Sequence, residues 1–302
     1  MPDWGLITAQ VKADAGLSLE ANSARPVGGG CISSAFVLTS VSNGTSSNEA
    51  YFIKTHQAAG LGMFEAERDG LLELAKSSCL RVPAPVCSGV AQDAAYLLME
   101  YIPLNGTGDD ALLGEALAAM HQQRHQQRQQ KFGWKRDNNI GSTPQMNALC
   151  DNWPQFWSEQ RLAFQLRLAA KNGAGQAFLA RAKQLQAVIP EFFSHYQPAA
   201  SLLHGDLWSG NAAFDQHAQP VIFDPAVYYG DRETDLAMTE LFGGFSQRFY
   251  SAYNSVWALD SGYSTRKILY NLYHILNHFN LFGGGYLSQA EGMVDRLLSE
   301  MS

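Results

Sequence analysis

Apolar positions along the chain change period twice, and the changes mark three zones. Between residues 25 and 102, the runs at 34–40 (SAFVLTS) and 50–55 (AYFIKT) are short and β-prone, with turn-forming residues at 42–48 between them. That pattern predicts two hairpin strands. Residues 63–75 switch to helical spacing, with Phe64, Leu71, Leu72 and Leu74 as the apolar positions. Pro83 and Pro85 break the helical stretch, and 94–102 (AAYLLMEYI) is again strand-like. The order predicts a small antiparallel sheet with one helix packed on it.

The second zone, 111–196, is mainly helical but interrupted at 132–154 by Gly133, Asn138, Asn139, Gly141 and Pro144. An interruption of that length inside a compact domain is usually functional or disordered. Its aromatic residues, Phe132, Trp134, Trp153, Phe156 and Trp157, favour an ordered loop or a pair of turns. The third zone opens at Ser201 with a compact polar cluster, passes a short strand at 221–223 and ends in helices from about 235 to 301. It contains no internal repeat and no low-complexity linker.

Composition narrows the class. The 302 residues are 46% hydrophobic and 16% charged, ordinary for a soluble globular protein. The net charge of −7 leaves no general basic surface for nucleic acid or an anionic membrane. No stretch approaches the ~20 apolar residues of a membrane-spanning helix, and the first twenty, with Asp3, Lys12 and Asp14, contain no apolar signal block. Cys31, Cys79, Cys87 and Cys150 lie 48, 8 and 63 positions apart, which matches neither a zinc pattern nor a disulfide scaffold. A reduced, cytoplasmic protein is expected. One local bias, 121–136, holds five Lys/Arg and no acid; it reads as a solvated helix face, with a positive rim for phosphate-bearing ligands as the sharper alternative.

The chemistry concentrates in His204-Gly-Asp-Leu-Trp-Ser-Gly-Asn211, followed eighteen residues after Asp206 by Asp224. An Asp, an Asn five residues on, and a second Asp after a short hairpin is the order of a kinase catalytic loop. In that arrangement Asp206 accepts the proton of the acceptor hydroxyl, while Asn211 and Asp224 hold Mg2+ on the phosphates of ATP. Two protein side chains suffice, because magnesium completes its shell of hard oxygens with phosphate and water. The remaining kinase parts precede it in order. Gly28, Gly29, Gly30 and Ser33 form a glycine-rich turn that can drape N–H groups over phosphates, with Ser33 standing where a third spaced glycine is usual. Lys54, in Tyr51-Phe-Ile-Lys54, is placed to contact the α and β phosphates. A carboxylate must orient it; Glu65 and Glu67 lie about 200° apart around the next helix, and Glu67 is preferred because it is near the Leu71/Leu74 face. Glu100, Tyr101 and Ile102 read as the adenine hinge.

Only six residues separate Asp224 from Asp231, too few for a long activation segment, and no D-F-G or A-P-E is present. The loop reads His-Gly-Asp, as in aminoglycoside and choline kinases. The chain is therefore expected to be a small-molecule kinase with a bilobal, α+β, protein-kinase-like fold. An N-terminal nucleotide-binding lobe of 1–102 is followed by a mainly helical lobe of 103–302. More narrowly, the catalytic string together with Phe223-Asp-Pro-Ala-Val-Tyr-Tyr-Gly-Asp-Arg-Glu-Thr-Asp-Leu-Ala-Met238 resembles the fructosamine kinase (ketosamine-3-kinase) family. Supporting strings run the length of the chain: Met63-Phe-Glu-Ala-Glu67, Phe132-Gly133, Pro144-Gln-Met-Asn147, Trp153 and Arg161-Leu162. The resemblance implies ATP-dependent phosphorylation of the 3-hydroxyl of a ketosamine, which destabilises the sugar adduct and releases the amine, a repair reaction. Trp208 is then expected beside the acceptor, Asn147 and Trp153 to shape the rest of the pocket, and Asp231 and Asp235 to brace the catalytic loop. The alternatives are a kinase of the same fold acting on an aminoglycoside or amino alcohol, and a silent nucleotide-binding module; intact Lys54, Asp206, Asn211 and Asp224 argue against the latter.

Cys31, inside the glycine-rich turn, suggests a redox brake or a disulfide-linked homodimer in place of a monomer. His121/His125 and His274/His278 have i, i+4 spacing but no third ligand, and read as ordinary helix histidines.

Overall fold

The computed structural model describes residues 2–28, 33–41, 49–104, 106–126 and 131–301. Gly29, Gly30 and Cys31, and with them most of the expected phosphate-covering turn, lie outside the described residues. The chain forms two compact units: Met1–Thr107 with Ala213–Phe223, and Gly108–Ala212 with Asp224–Ser302. The N-terminal unit therefore ends five residues later than the expected 102 and takes back a short piece of chain from the middle of the second.

The first unit is built on a five-stranded antiparallel sheet. Its elements are α1 (Trp4–Ala15), β1 (Arg25–Val27), β2 (Ser34–Thr39), β3 (Ala50–Gln57), α2 (Leu61–Ala75), β4 (Pro85–Ala91) and β5 (Ala94–Glu100), with strand order β1-β2-β3-β5-β4. Alternation along the strands separates two faces. Leu38, Ile53, Tyr96 and Leu98 pack against Ile7 and Val11 of α1. The intervening positions, Lys54 among them, belong to the other face, the side on which Lys54 meets α2. Two helices thus accompany the sheet, not the one expected. Helix α1 has clear ends: Asp3 accepts the Leu6 N–H at 3.1 Å, and Gly16 closes the helix at φ +68° with its N–H on Lys12 O. Leu72, expected on the apolar face of α2, is 47% exposed; Phe64, Ala66, Gly70, Leu71 and Leu74 form the buried side.

The segment returning to this unit is a hairpin, Ala212–Phe214 paired with Pro220–Ile222. Arg81 fastens it to the sheet. Its guanidinium binds the buried Asp215 and reaches Glu100 Oε1 at 2.6 Å, and its carbonyl accepts the Ile222 N–H at 3.0 Å.

The second unit is mainly helical: α3 (Asp110–Gln126), α4 (Trp153–Phe156) running through a π-turn at Trp157–Leu162 into α5 (Ala163–Lys171), α6 (Gln176–Val188), α7 (Glu233–Thr239), α8 (Gln247–Val256), α9 (Tyr263–Phe282) and α10 (Tyr286–Ser299). Helix α9 is buried at every position from 269 to 276, which makes it the pillar of this unit rather than a surface helix. The interruption at 132–154 is ordered. It contains the hairpin Asn138–Ile140/Thr143–Gln145, and bridges join Phe132 to Cys150 and Gly133 to Tyr229.

Candidate active site

The catalytic string leaves the strand Ser201–Leu203, which pairs antiparallel with Tyr228–Gly230, so Leu203 and Tyr228 face one another. The loop between them makes one turn that only glycine allows. Gly205 has φ +83°, and a Cβ there would stand 2.1 Å from the Ala226 carbonyl oxygen. This is the physical reason for Gly within His-Gly-Asp.

Asp235 holds the turn from below. Its Oδ2 accepts the His204 N–H at 2.7 Å and its Oδ1 the Gly205 N–H at 2.8 Å. Burial alone would push the Asp235 carboxyl up, but hydrogen bonds with His121 and the Gly205 N–H outweigh it and hold the group below its ordinary range. His121 Nε2 lies 3.2 Å from Asp235 Oδ2, and its Nδ1 2.9 Å from the Tyr253 hydroxyl. Its i, i+4 spacing with His125 is that of an ordinary helix histidine, and burial against an acid 114 positions away carries no local signal. Asp231, the other expected brace, accepts hydroxyls from Tyr196 at 2.9 Å and Tyr270 at 2.6 Å and the Glu233 N–H at 3.0 Å.

Above the turn, Asn211 Nδ2 donates to the Asp206 carbonyl at 2.8 Å. That bond fixes the amide and leaves its Oδ1 as the ligand end. Asp206 is half-buried; burial pushes its carboxyl up to about 7, with the charges of Asp224 and Asp235 adding and the Asn211 hydrogen bond opposing. Asp224 itself takes φ +58°, a strained value for a non-glycine residue. The Asp224 carboxylate and the Asn211 amide oxygen offer hard-oxygen donors of the kind a magnesium ion takes, beside the Asp206 carboxylate. Trp208 is 37% exposed, and its indole covers Gly210, where a Cβ would come within 2.3 Å of the ring.

Asn147 and Trp153 are placed differently from a pocket lining: each is only 1% exposed. Asn147 donates to Asn138 Oδ1 and Arg136 O and accepts from Arg161, while Trp153 Nε1 donates to the Tyr270 hydroxyl at 3.0 Å. They act instead as internal scaffolding. Asn138 and Gln145 of the same layer donate to the carbonyls of Val227 and Ala226 at 2.8 and 3.0 Å, supporting the chain just after Asp224. Arg161, fully buried, fills the centre, stacked 4.1 Å from the Tyr228 ring and 4.7 Å from Phe156.

In the first unit, Lys54 Nζ lies 2.5 Å from Glu67 Oε1, the pairing preferred over Glu65. Gly28 is exposed, with nothing within 4 Å of its Cβ position among the described residues, and Ser33 is half-buried. At the expected hinge, the Glu100 N–H donates to Ala84 O at 2.8 Å, which removes that donor from the adenine contacts; its carboxylate is taken by Arg81 and the Ala84 N–H. Tyr101 is exposed and Ile102 buried.

Comparison with known proteins agrees with this geometry. The family model for fructosamine kinase matches residues 3–300. A probable ketoamine kinase of Synechocystis is 42% identical over 98% of this chain and 97% of its own. The chloroplastic protein-ribulosamine 3-kinase of Arabidopsis thaliana is 40% identical over 90% of this chain and 81% of its own. Among solved structures, a Haemophilus somnus protein assigned as a fructosamine-3-kinase superposes with a TM-score of 0.85 at 27% identity, covering 98% of this chain and 97% of the other. An aminoglycoside phosphotransferase matches at TM-score 0.61 and 15% identity, covering 98% and 99% of the two chains, and shares the fold. The two units are thus those of a protein-kinase-like phosphotransferase, and the chain belongs to the fructosamine kinase family.

Proposed function

We propose that this protein transfers the γ-phosphoryl group of ATP to the 3-hydroxyl of a ketosamine, the adduct a sugar leaves on an amine. The observation that carries the reading is Asp206: a half-buried carboxylate held beside the Asn211 amide and close to the charge of Asp224. The names of the relatives, ketoamine kinase and protein-ribulosamine 3-kinase, support the substrate class.

Asp206 orients the acceptor hydroxyl and takes its proton as the O3–phosphorus bond forms and the bond to the β-phosphate oxygen breaks. Asn211 Oδ1 and the Asp224 carboxylate would hold Mg2+, which would supply charge neutralisation on the phosphates of bound ATP. Lys54, steadied by Glu67, takes the α and β phosphates, and the backbone at Tyr101 and Ile102 takes adenine. Gly28 and Ser33 flank the phosphate cover. Most of the rate comes from placement and charge, with little covalent work for the protein. Asp235 serves this by fixing the two backbone amides that precede Asp206.

The setting we propose is cytoplasmic. Among the described residues no helix is long and apolar enough to cross a membrane, and Cys87 and Cys150 are thiols. The test is ATP consumption with synthetic fructosamines and ribulosamines, phosphorus NMR of the product, and Asp206→Asn as control. Phosphate on the 3-hydroxyl, lost in the variant, is the expected result. Nucleotide binding without ketosamine turnover moves the reading to another acceptor, such as an aminoglycoside or amino alcohol.

A further inference from the structure

A run of partly exposed aromatic rings leads away from Trp208. Phe242 meets the Trp208 indole edge-on at 6.4 Å, and His278 lies 4.7 Å beyond Phe242. From His278 the run forks to Phe282 at 5.6 Å and Tyr286 at 5.2 Å. Phe242, His278 and Tyr286 are half-buried, and Phe282, at the end of α9, is 59% exposed. A contiguous aromatic surface left open to water marks a binding site more often than a scattered apolar residue does.

The histidine in the row behaves as one more neutral ring. His278 Nδ1 lies 2.8 Å from the His274 carbonyl, an acceptor only, so Nδ1 carries the proton. Burial holds the group below its ordinary pKa, with that bond opposing. The row therefore presents ring faces, which attract cations and alkyl chains, and no fixed positive charge that would repel an ammonium group.

The substrate's own connectivity supplies the occupant. In a ketosamine the amine sits on C1, two carbons from the C3 hydroxyl. With that hydroxyl at Asp206, whatever the amine carries must leave the site close by. Trp208 is two residues from Asp206, within ~7 Å along the chain, and its ring is pinned over Gly210 at the start of the row. Resting on the ketosamine reading, we infer that Trp208, Phe242, His278, Phe282 and Tyr286 form a track for the amine side of the substrate, which takes a glycated lysine side chain and the peptide flanking it. A cationic nitrogen on a long alkyl stem suits a line of aromatic faces; a second sugar, needing hydrogen-bond partners, does not.

The experiment compares two substrates in the full chain: fructosyl-methylamine, which has almost no amine substituent, and a short peptide bearing fructosyl-lysine. Wild type is expected to favour the peptide about ten-fold in kcat/KM, expressed in KM. Phe282→Ser and Phe242→Ser each shrink that preference about five-fold, the scale of one aromatic contact, and Phe242→Tyr retains it. Circular dichroism confirms that each variant folds, and a purely structural effect would lower both substrates in proportion. A wild-type preference near one, or a preference untouched by both serine variants, overturns the track. So does concentration-dependent self-association that Phe282→Ser abolishes, which assigns the patch to a second copy of the chain. If neither ketosamine is phosphorylated while ATP still binds, the ketosamine reading itself has failed.

Discussion

Lys54 meets Glu67 at 2.5 Å in a setting where the side chains are only 9% and 13% exposed. The pair joins the central strand β3 to helix α2, so on the role proposed for Lys54 its loss is expected to act on both stability and phosphate placement. Removing one member of a buried ion pair typically costs about 3–5 kcal/mol, whereas replacing both by apolar groups is often near neutral. Lys54→Met alone is expected to lower both the unfolding midpoint and kcat/KM. The double variant Lys54→Met/Glu67→Leu should recover most of the stability and none of the activity. Urea unfolding alongside kinetics of all three variants separates the two roles; recovery of activity in the double variant would refute the phosphate role of Lys54.

Gly205 permits no side chain. With φ +83° and a Cβ position 2.1 Å from the Ala226 oxygen, Gly205→Ala must shift the loop or the strand behind it. A loss of roughly 2 kcal/mol or more and a collapse of kcat are expected. Gly28→Ala, where the added Cβ meets nothing within 4 Å among the described residues, should leave the unfolding temperature in place. Thermal unfolding of the two variants side by side checks the contrast.

Asp235→Asn keeps one oxygen acceptor and turns an amide donor toward one of the two backbone N–H groups it now serves. Hydrogen bonds to a charged acceptor contribute about 1.5–3 kcal/mol each, so stability falls by a similar amount. Because the residue positions Asp206 without meeting substrate, kcat should drop on the order of 100-fold while KM for ATP and acceptor changes little. A change confined to KM would remove Asp235 from this role.

His274 should make the protein acid-sensitive. It is buried, and burial, with the neighbouring His278 adding, lowers its pKa to about 3. The unfolded chain takes up this proton near the ordinary value of about 6.5, the folded chain only near 3. Stability from this group is therefore complete above about pH 6.5 and declines as pH falls, at about 1.4 kcal/mol per unit. Between pH 7 and 5 the wild type should lose about 2 kcal/mol more than His274→Asn. Urea titrations at the two pH values decide it, and parallel losses would contradict the assignment.

The sheet strands with strong patterns, β2, β3 and β5, and helix α2 were legible to within a few residues, as was the ordered loop at 132–154. Strand β4 was not. Its sequence, PVCSGVA, begins with the proline that reads as a breaker, and it tolerates that proline because it lies at the sheet edge. Helix α1 has its signals in place, with Asp3 before it, Gly16 after it and Trp4, Ile7 and Val11 at helical spacing. Asp206 and Asp224, the carboxylates proposed as base and metal ligand, are legible because that chemistry demands a compact motif. The layer beneath them was legible only in part. Asp231 and Asp235 stand in a polar cluster near the loop, but His121, Arg161 and Tyr270 act through pairings spanning tens to more than a hundred positions. Asn147 and Trp153, expected to shape a pocket, face the buried interior, since a local motif does not say which side of it is buried.

The return of Ala213–Phe223 to the first unit has a consequence for how the protein is made. Its N-terminal unit cannot be completed when residue 107 leaves the ribosome; it waits for a hairpin synthesised more than a hundred residues later. At typical elongation rates of ~5–20 residues per second, that is a delay of several seconds or more. During it, the Arg81 guanidinium can reach Glu100 but has no Asp215 to close on. The two units must mature together, and the stretch of chain that joins their histories is flanked by Asn211 on one side and Asp224 on the other.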